Sequence, residues 1–168
     1  VCRAVAGGSR PTKLGFGGIP IQRDSEEEAI AVVKRCLDLG INYIDTANGY
    51  TTSEERIGKA IAGRRKDVII ATKSGGRTRE DVEKHLALSL HRLQTDYIDI
   101  YQFHGVNNNK HLEAILQPGG LLDFALERKK AGQIKHISIT SHQMDIAKKA
   151  VATDKFETIM VPFNFVTD

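Results

Sequence analysis

Val68-Ile69-Ile70-Ala71-Thr72-Lys73 is a near-continuous apolar run that stops on a charge. A strand that is apolar at successive positions is covered on both faces, which is the situation inside a parallel sheet flanked by crossover helices. The lysine that ends the run needs a partner there, because a buried ammonium without one is costly. The neighbouring strands follow the same plan. Upstream, Ile41-Asn42-Tyr43-Ile44-Asp45 reads as a strand ending in a carboxylate. Downstream, Tyr97-Ile98-Asp99-Ile100-Tyr101-Gln102-Phe103-His104 ends in an imidazole. Between them, Ser53 is expected to cap a helix carrying Ile57, Ala60 and Ile61 and closed by Gly63. Thr78 and Asp81 open another with Val82, Leu86, Leu90 and Leu93 along it.

The alternation extends to both ends. Lys13 to Ile19 reads as a short strand opening into a Gly-rich loop. Ser25 with Glu28 forms a capping box, followed by Ile30, Val33, Cys36 and Leu37 at helical spacing, with Gly40 as the stop. Beyond His104 comes a polar loop, Gly105 to Lys110, expected to line the substrate mouth. Pro118-Gly119-Gly120 breaks the connection after it, and Leu121 to Lys130 is helical. Ile134 to Thr140 is a fifth strand, Asp145 to Ala152 a short helix and Thr158 to Phe163 a sixth strand.

This is an α/β chain with a parallel sheet, and two architectures compete for it. An open dinucleotide-binding sheet places G-x-G-x-x-G after its first strand. Gly15-Phe16-Gly17-Gly18 lacks the third glycine at the required place. A (β/α)₈ TIM barrel instead draws its site from the C-terminal ends of several strands, which is where Asp45, Lys73 and His104 fall. The barrel is the expected fold. A whole barrel takes ~250 residues, so 168 residues supply strands one to six of a single barrel domain spanning 1–168, truncated or continued elsewhere. Strands one and six are then open edges.

Composition narrows the function classes. The chain is 40% hydrophobic and 27% charged with net charge +3, the profile of a soluble globular protein. No apolar run approaches the ~20 residues of a membrane span. The first residues, Val1 to Gly8, are too short and weakly apolar for a signal peptide, and a start without Met reads as processing or a fragment. The basic clusters Gly63-Arg64-Arg65-Lys66 and Glu127-Arg128-Lys129-Lys130 lie at helix C-termini, where they suit the helix dipole; without interleaved aromatics they do not read as a nucleic-acid surface. Cys2 and Cys36 have no metal spacing, and no metal site is expected. Cys36 is placed on the apolar face of its helix as a small hydrophobe. A reducing, cytoplasmic compartment fits two unpaired cysteines.

The chemistry concentrates in Asp45-Thr46-Ala47-Asn48-Gly49-Tyr50, followed by Ser53-Glu54, with Lys73 and His104 downstream. A phenol ionises at ~10 and is a reluctant proton donor. A neighbouring ammonium stabilises the phenolate, and a carboxylate can hold the ammonium in place. An acid, a phenol, an amine and an imidazole at strand ends are the parts of a proton donor for carbonyl reduction. Asp45, Tyr50 and His104 also have plain structural readings, as a loop cap, a packing tyrosine and a strand-end histidine, whereas Lys73 is less easily dismissed because its buried charge needs a partner. Of the remaining histidines, His85, His91, His111 and His136 read as surface or loop residues, and His142 lies at the expected mouth of the barrel.

In order and spacing these segments resemble the aldo-keto reductases from Leu14 to Phe165. Asp45-Thr46-Ala47-x-x-Tyr50-x-x-Ser53-Glu54 is similar to the family signature after the second strand. Ala71-Thr72-Lys73 is similar to the end of the third, and Leu93-x-x-Asp96-Tyr97-Ile98-Asp99-x-Tyr101-x-x-His104 to the run through the fourth. The resemblance implies a catalytic tetrad of Asp45, Tyr50, Lys73 and His104. Tyr50 is then the general acid, Lys73 lowers its pKa, Asp45 pairs with Lys73, and His104 orients the carbonyl. It implies NADPH as cofactor, with NADH as the alternative, and a small-molecule carbonyl substrate. Gly17, Gly18, Asp45, Thr140 and Ser141 are the implied cofactor contacts. Many members have Ser-Asn where this chain has Thr140-Ser141, and Gln where it has Met160, so the amide anchor for the nicotinamide is altered. Thr140-Ser141-His142 and Pro162-Phe163-Asn164 resemble a bacterial subgroup, some of whose members carry a C-terminal ferredoxin-like extension; an iron–sulfur cluster would belong only there. The family holds the cofactor phosphates after strands seven and eight, so weak NADPH binding is expected of these 168 residues alone. The alternatives are a non-catalytic nicotinamide-sensing or regulatory subunit on the same scaffold and an inactive fragment. Substrate identity and oligomeric state stay open.

Overall fold

The structure, a computed structural model, describes residues 10–164; the N-terminal stretch with Cys2, and Phe165 at the far end of the family resemblance, lie outside them. Six strands pair in chain order, all parallel. They are β1 (Phe16–Gly17), β2 (Tyr43–Asp45), β3 (Ile69–Ser74), β4 (Ile98–Phe103), β5 (Ile134–Thr140) and β6 (Thr158–Met160). The connecting helices are α1 (Glu26–Asp38), α2 (Ser53–Ala60), α3 (Arg79–Arg92), α4 (Asn109–Leu116), α5 (Leu121–Lys130) and α6 (Met144–Ala152).

Strand order settles the architecture. A doubly wound sheet reverses its strand order at a switch point, whereas here the order runs from β1 to β6 without a break. One large core joins Ile44, Ile70, Tyr101, Phe103, Ile137 and Ile139 to helix residues such as Val33, Ile57, Leu86 and Phe124. On the opposite face Ile69, Ala71 and Ile100 form a small separate cluster against Tyr43. A sheet wound in one direction with its helices on one face is a partial (β/α)₈ barrel, with β1 and β6 as its edges.

Sequence cues account for most elements. Ser25 and Glu28 make the reciprocal capping box of α1, and Gly40, at φ 84°, takes the left-handed turn that ends it. Thr78 caps α3 by accepting from the Asp81 N–H. The strands at both edges are shorter than expected: β1 keeps two residues and β6 stops at Met160. One helix, α4, starts inside the stretch expected as a loop, with the Asn108 side chain capping it through the His111 N–H. The basic clusters are ion-paired rather than merely near helix ends. Arg64 meets Asp38, Arg65 meets Asp99 at 2.7 Å, and Lys129 meets Glu157. Cys36 is a half-buried free thiol. No helix among the described residues is long and apolar enough to cross a membrane.

Candidate active site

The sheet ladder continues past the strand ends, and this is what fixes the site. Gly18 N–H donates to the Asp45 carbonyl (2.7 Å), Thr46 to Ala71 (2.8 Å), Asn48 to Lys73 (3.0 Å) and His104 to Ser74 (2.9 Å). Loop residues are thereby held with the precision of strands. Register sets the depth. Asp45, Ala71, Ile100 and His136 lie in one layer, and Lys73, Gln102, Ser138 and Thr158 in the next.

The structure brings Asp45, Tyr50, Lys73 and His104 together. Lys73 Nζ donates to Asp45 Oδ2 at 2.5 Å and to the Thr46 carbonyl at 2.8 Å. The same ammonium lies 5.2 Å from the centre of the Tyr50 ring. The ring of His104 meets that of Tyr50 edge-on, with centres 6.1 Å apart. Burial, opposed by Lys73, raises the Asp45 pKa, and burial, opposed by Asp45 and Glu54, lowers that of Lys73. Burial first, then the positive charges of Lys73, Arg77 and His142, holds His104 below its ordinary value and so neutral. The Tyr50 phenol is pushed up, by burial and then by the Asp45 carboxylate. In this chain Lys73 is committed to Asp45 and Thr46, and the balance of burial and the Asp45 charge on the phenol is upward.

Several residues that hold the Tyr50 loop escaped the sequence reading. Ser53 does not cap α2, whose N-cap is Thr52 without a side-chain bond. Its hydroxyl is buried, accepts from Thr46 Oγ1 (3.0 Å) and donates to the Gly18 carbonyl (2.7 Å). Glu54 is fully buried, accepting from Thr72 Oγ1 at 2.6 Å and facing Arg92 at 3.5 Å. Arg92 also donates to the Asn48 carbonyl (3.0 Å), while the Asn48 amide reaches His85 O and Ser89 Oγ on α3. The signal was present in Ser53-Glu54, but its long-range partners are not adjacent in sequence. Thr51, next to Tyr50, has φ 34°, an unusual value for a β-branched residue.

The implied cofactor contacts divide. A Cβ on Gly17 would meet nothing within 4 Å, so its backbone is open to a ligand. A Cβ on Gly18 would strike Ser53 Oγ at 2.7 Å and the Asp45 carbonyl at 2.9 Å, so packing alone demands glycine there. Thr140 Oγ1 accepts from the Gly105 N–H (2.9 Å), and Ser141 Oγ bonds within its turn to Gln143. Both hydroxyls fasten loops, and the polar stretch after His104 is pinned to β5 by Val106 N–H on the Thr140 carbonyl (2.9 Å). Asp45 Oδ1 is buried with no hydrogen-bond partner among the described residues. An orphaned carboxylate oxygen beside an open glycine fits a hydroxyl-bearing ligand such as the ribose of a nicotinamide nucleotide. No group of His, Cys, Asp and Glu among the described residues could hold a metal ion.

Known proteins place this geometry. The chain is 30% identical over 167 residues to the uncharacterized oxidoreductase YqkF of Bacillus subtilis, covering 91% of this chain and 52% of that protein. It is 29% identical over 171 residues to the aldo-keto reductase yakc [NADP(+)] of Schizosaccharomyces pombe, covering 90% of this chain and 48% of the relative. The solved aldo-keto reductase AKR11C1 from Bacillus halodurans, in its holo form, superposes with a TM-score of 0.81 at 30% identity, over 96% of this chain and 57% of that one. The chain thus spans about half the length of the curated relatives it matches. A family model described as the aldo/keto reductase family matches residues 13–167, and the chain belongs to that family.

Proposed function

We propose that this chain carries the proton-handling side of an NADPH-dependent reductase that converts aldehydes or ketones to alcohols. The observation that carries the reading is the Tyr50 ring flanked by Lys73 at 5.2 Å and by His104 at 6.1 Å, with Lys73 fixed by Asp45. The nicotinamide, when bound, supplies the hydride; Gly17 and the free Asp45 Oδ1 are the groups of this chain that would face it, and the NADP(+) in the name of yakc supports that cofactor.

The residues act on the carbonyl oxygen. Negative charge builds there during reduction, and donors already in place stabilise it without reorganising. Tyr50, protonated at neutral pH, is the general acid that protonates this oxygen, and the base for the reverse reaction. Lys73 gains its full electrostatic worth once the phenolate forms, since the ammonium is held close by Asp45 and Thr46 and cannot swing away. Neutral His104 offers a ring N–H to the same oxygen and orients the carbonyl. Burial strengthens each of these interactions by excluding water. A cytoplasmic setting suits the free Cys36.

The test is NADPH oxidation by the protein across a panel of aldehydes. Tyr50→Phe is expected to remove most turnover while cofactor binding persists; near-normal turnover would refute the role of Tyr50. The altered amide contacts at Ser141 and Met160 favour a second reading, a non-catalytic nicotinamide-sensing subunit on the same scaffold. NADPH binding without oxidation on any aldehyde would support it.

A further inference from the structure

Arg77 lies in the loop after β3 and reaches across to the loop after β4. Its Nη2 donates to the His104 carbonyl at 2.9 Å and to the Gly105 carbonyl at 3.3 Å, and its Nη1 to Gly76 O at 3.4 Å. These partners are neutral. Of the carboxylates that follow in the chain, Glu80 pairs with Lys84, and Asp81 accepts from Thr78 and from the Arg77 backbone N–H rather than from the guanidinium. Arg77 is solvent-exposed, and its partial burial pushes its pKa down. Lys73, its neighbour at the mouth, has Asp45 to answer its charge. Among the described residues the Arg77 guanidinium has carbonyl dipoles and solvent, and no ion pair. His142 is close enough to His104 to affect its titration, and its main chain is fixed by a 2.8 Å bond to Asn107 Oδ1.

We propose that Arg77, bonded to the His104 and Gly105 carbonyls, forms an anion subsite at the mouth of the barrel, and that preferred substrates carry a carboxylate remote from the reacting carbonyl. This rests on the reductase reading above. A guanidinium keeps its charge and donates charge-assisted hydrogen bonds to a carboxylate. Here Nη2 spends both of its N–H groups on the His104 and Gly105 carbonyls and Nη1 one of its two on Gly76, so the group is already oriented, and Nε–H with the second Nη1–H are left to meet an anion. The anchor is bonded to the main chain of His104, whose ring meets that of Tyr50, so a substrate held by it is placed on the His104 side of the phenol.

The experiment compares 4-formylbenzoate with its methyl ester in the wild-type protein, in Arg77→Met and in Arg77→Lys. The wild type is expected to favour the carboxylate in kcat/KM by about ten- to a hundredfold, the worth of a charge-assisted hydrogen bond. Arg77→Met collapses that ratio, mainly through KM, and Arg77→Lys restores part of it. A purely structural Arg77 would move both substrates together and leave the ratio unchanged, which overturns the proposal, as does a wild type without preference. If neither aldehyde is reduced, the reductase reading fails, and the subsite is judged by titrating 4-formylbenzoate against the ring signals of His104 and His142 in NMR. Binding that weakens about tenfold or more in Arg77→Met supports the subsite, by the same hydrogen-bond arithmetic; unchanged or absent binding overturns it. A matching loss of NADPH affinity in Arg77→Met would make Arg77 a cofactor contact and overturn it too.

Discussion

Lys73 and Asp45 meet at 2.5 Å although they sit in successive layers of the sheet, and burial works against the charge on both. Each charge is tolerable because of the other. Lys73→Met leaves a carboxylate with little solvent and no cation. It is expected to lower stability by about 3 kcal/mol, at the lower end for a broken buried pair because Asp45 keeps some exposure. Adding Asp45→Leu should recover much of the loss. Urea unfolding of the two variants checks this, and a cost below ~1 kcal/mol for Lys73→Met would mark the pair as surface-like.

The same carboxylate bears on Tyr50. Its charge is a cause of the raised phenol pKa, after burial. Asp45→Asn is therefore expected to lower the Tyr50 pKa relative to wild type. The ultraviolet titration of the phenol, with Tyr50→Phe as the subtraction control, measures it. An upward movement would mean that the lost hold on Lys73 outweighs the removed repulsion.

His104 gives a pH dependence of definite sign. Its folded pKa lies below the ordinary 6.5, so the unfolded chain takes up the proton first as pH falls. Stability from this group is fully present above 6.5 and is lost as pH drops from 6.5 through the folded pKa. His104→Gln should flatten that limb of the stability–pH curve. A histidine ring signal titrating above 6.5 would contradict the assignment.

Gly17 and Gly18 are expected to separate. Gly18→Ala drives a Cβ onto the Asp45 carbonyl and should cost about 1–3 kcal/mol in thermal or urea unfolding, as overpacking does. Gly17→Ala meets no protein atom and should leave unfolding nearly unchanged while raising the NADPH dissociation constant. Equal effects of the two on unfolding would remove the distinction.

Glu54 is the buried acid behind the site. Glu54→Ala strands Arg92 and the Thr72 hydroxyl and is expected to cost about 3–5 kcal/mol. Glu54→Gln keeps the Thr72 bond and should cost clearly less. Both are read from denaturant midpoints, and similar losses would show that the charge facing Arg92 matters more than the hydrogen bond.

Much of this was legible along the chain. Ser25 and Glu28, Thr78, the left-handed Gly40 and the run from Ile134 to Thr140 are local signals, and the structure follows them. Helix α4 was not legible, because Asn107-Asn108-Asn109 reads as a turn until Leu112 and Ile115 are seen to be buried. Ser53 misled for a related reason. A serine before a helical pattern is a normal cap, but its hydroxyl here is drawn to Thr46 and Gly18.

The sequence by itself determined the parallel α/β class, the strand ends that carry Asp45, Lys73 and His104, and the loop that carries Tyr50, since apolar runs and caps are properties of neighbouring residues. Only the tertiary structure decided which way the charges act. Burial and pairing depend on residues brought together from distant strands. Those contacts set Lys73 against Asp45, put the Tyr50 phenol under burial and the Asp45 charge, kept His104 neutral, and bonded the exposed Arg77 to the carbonyls of the loop after β4.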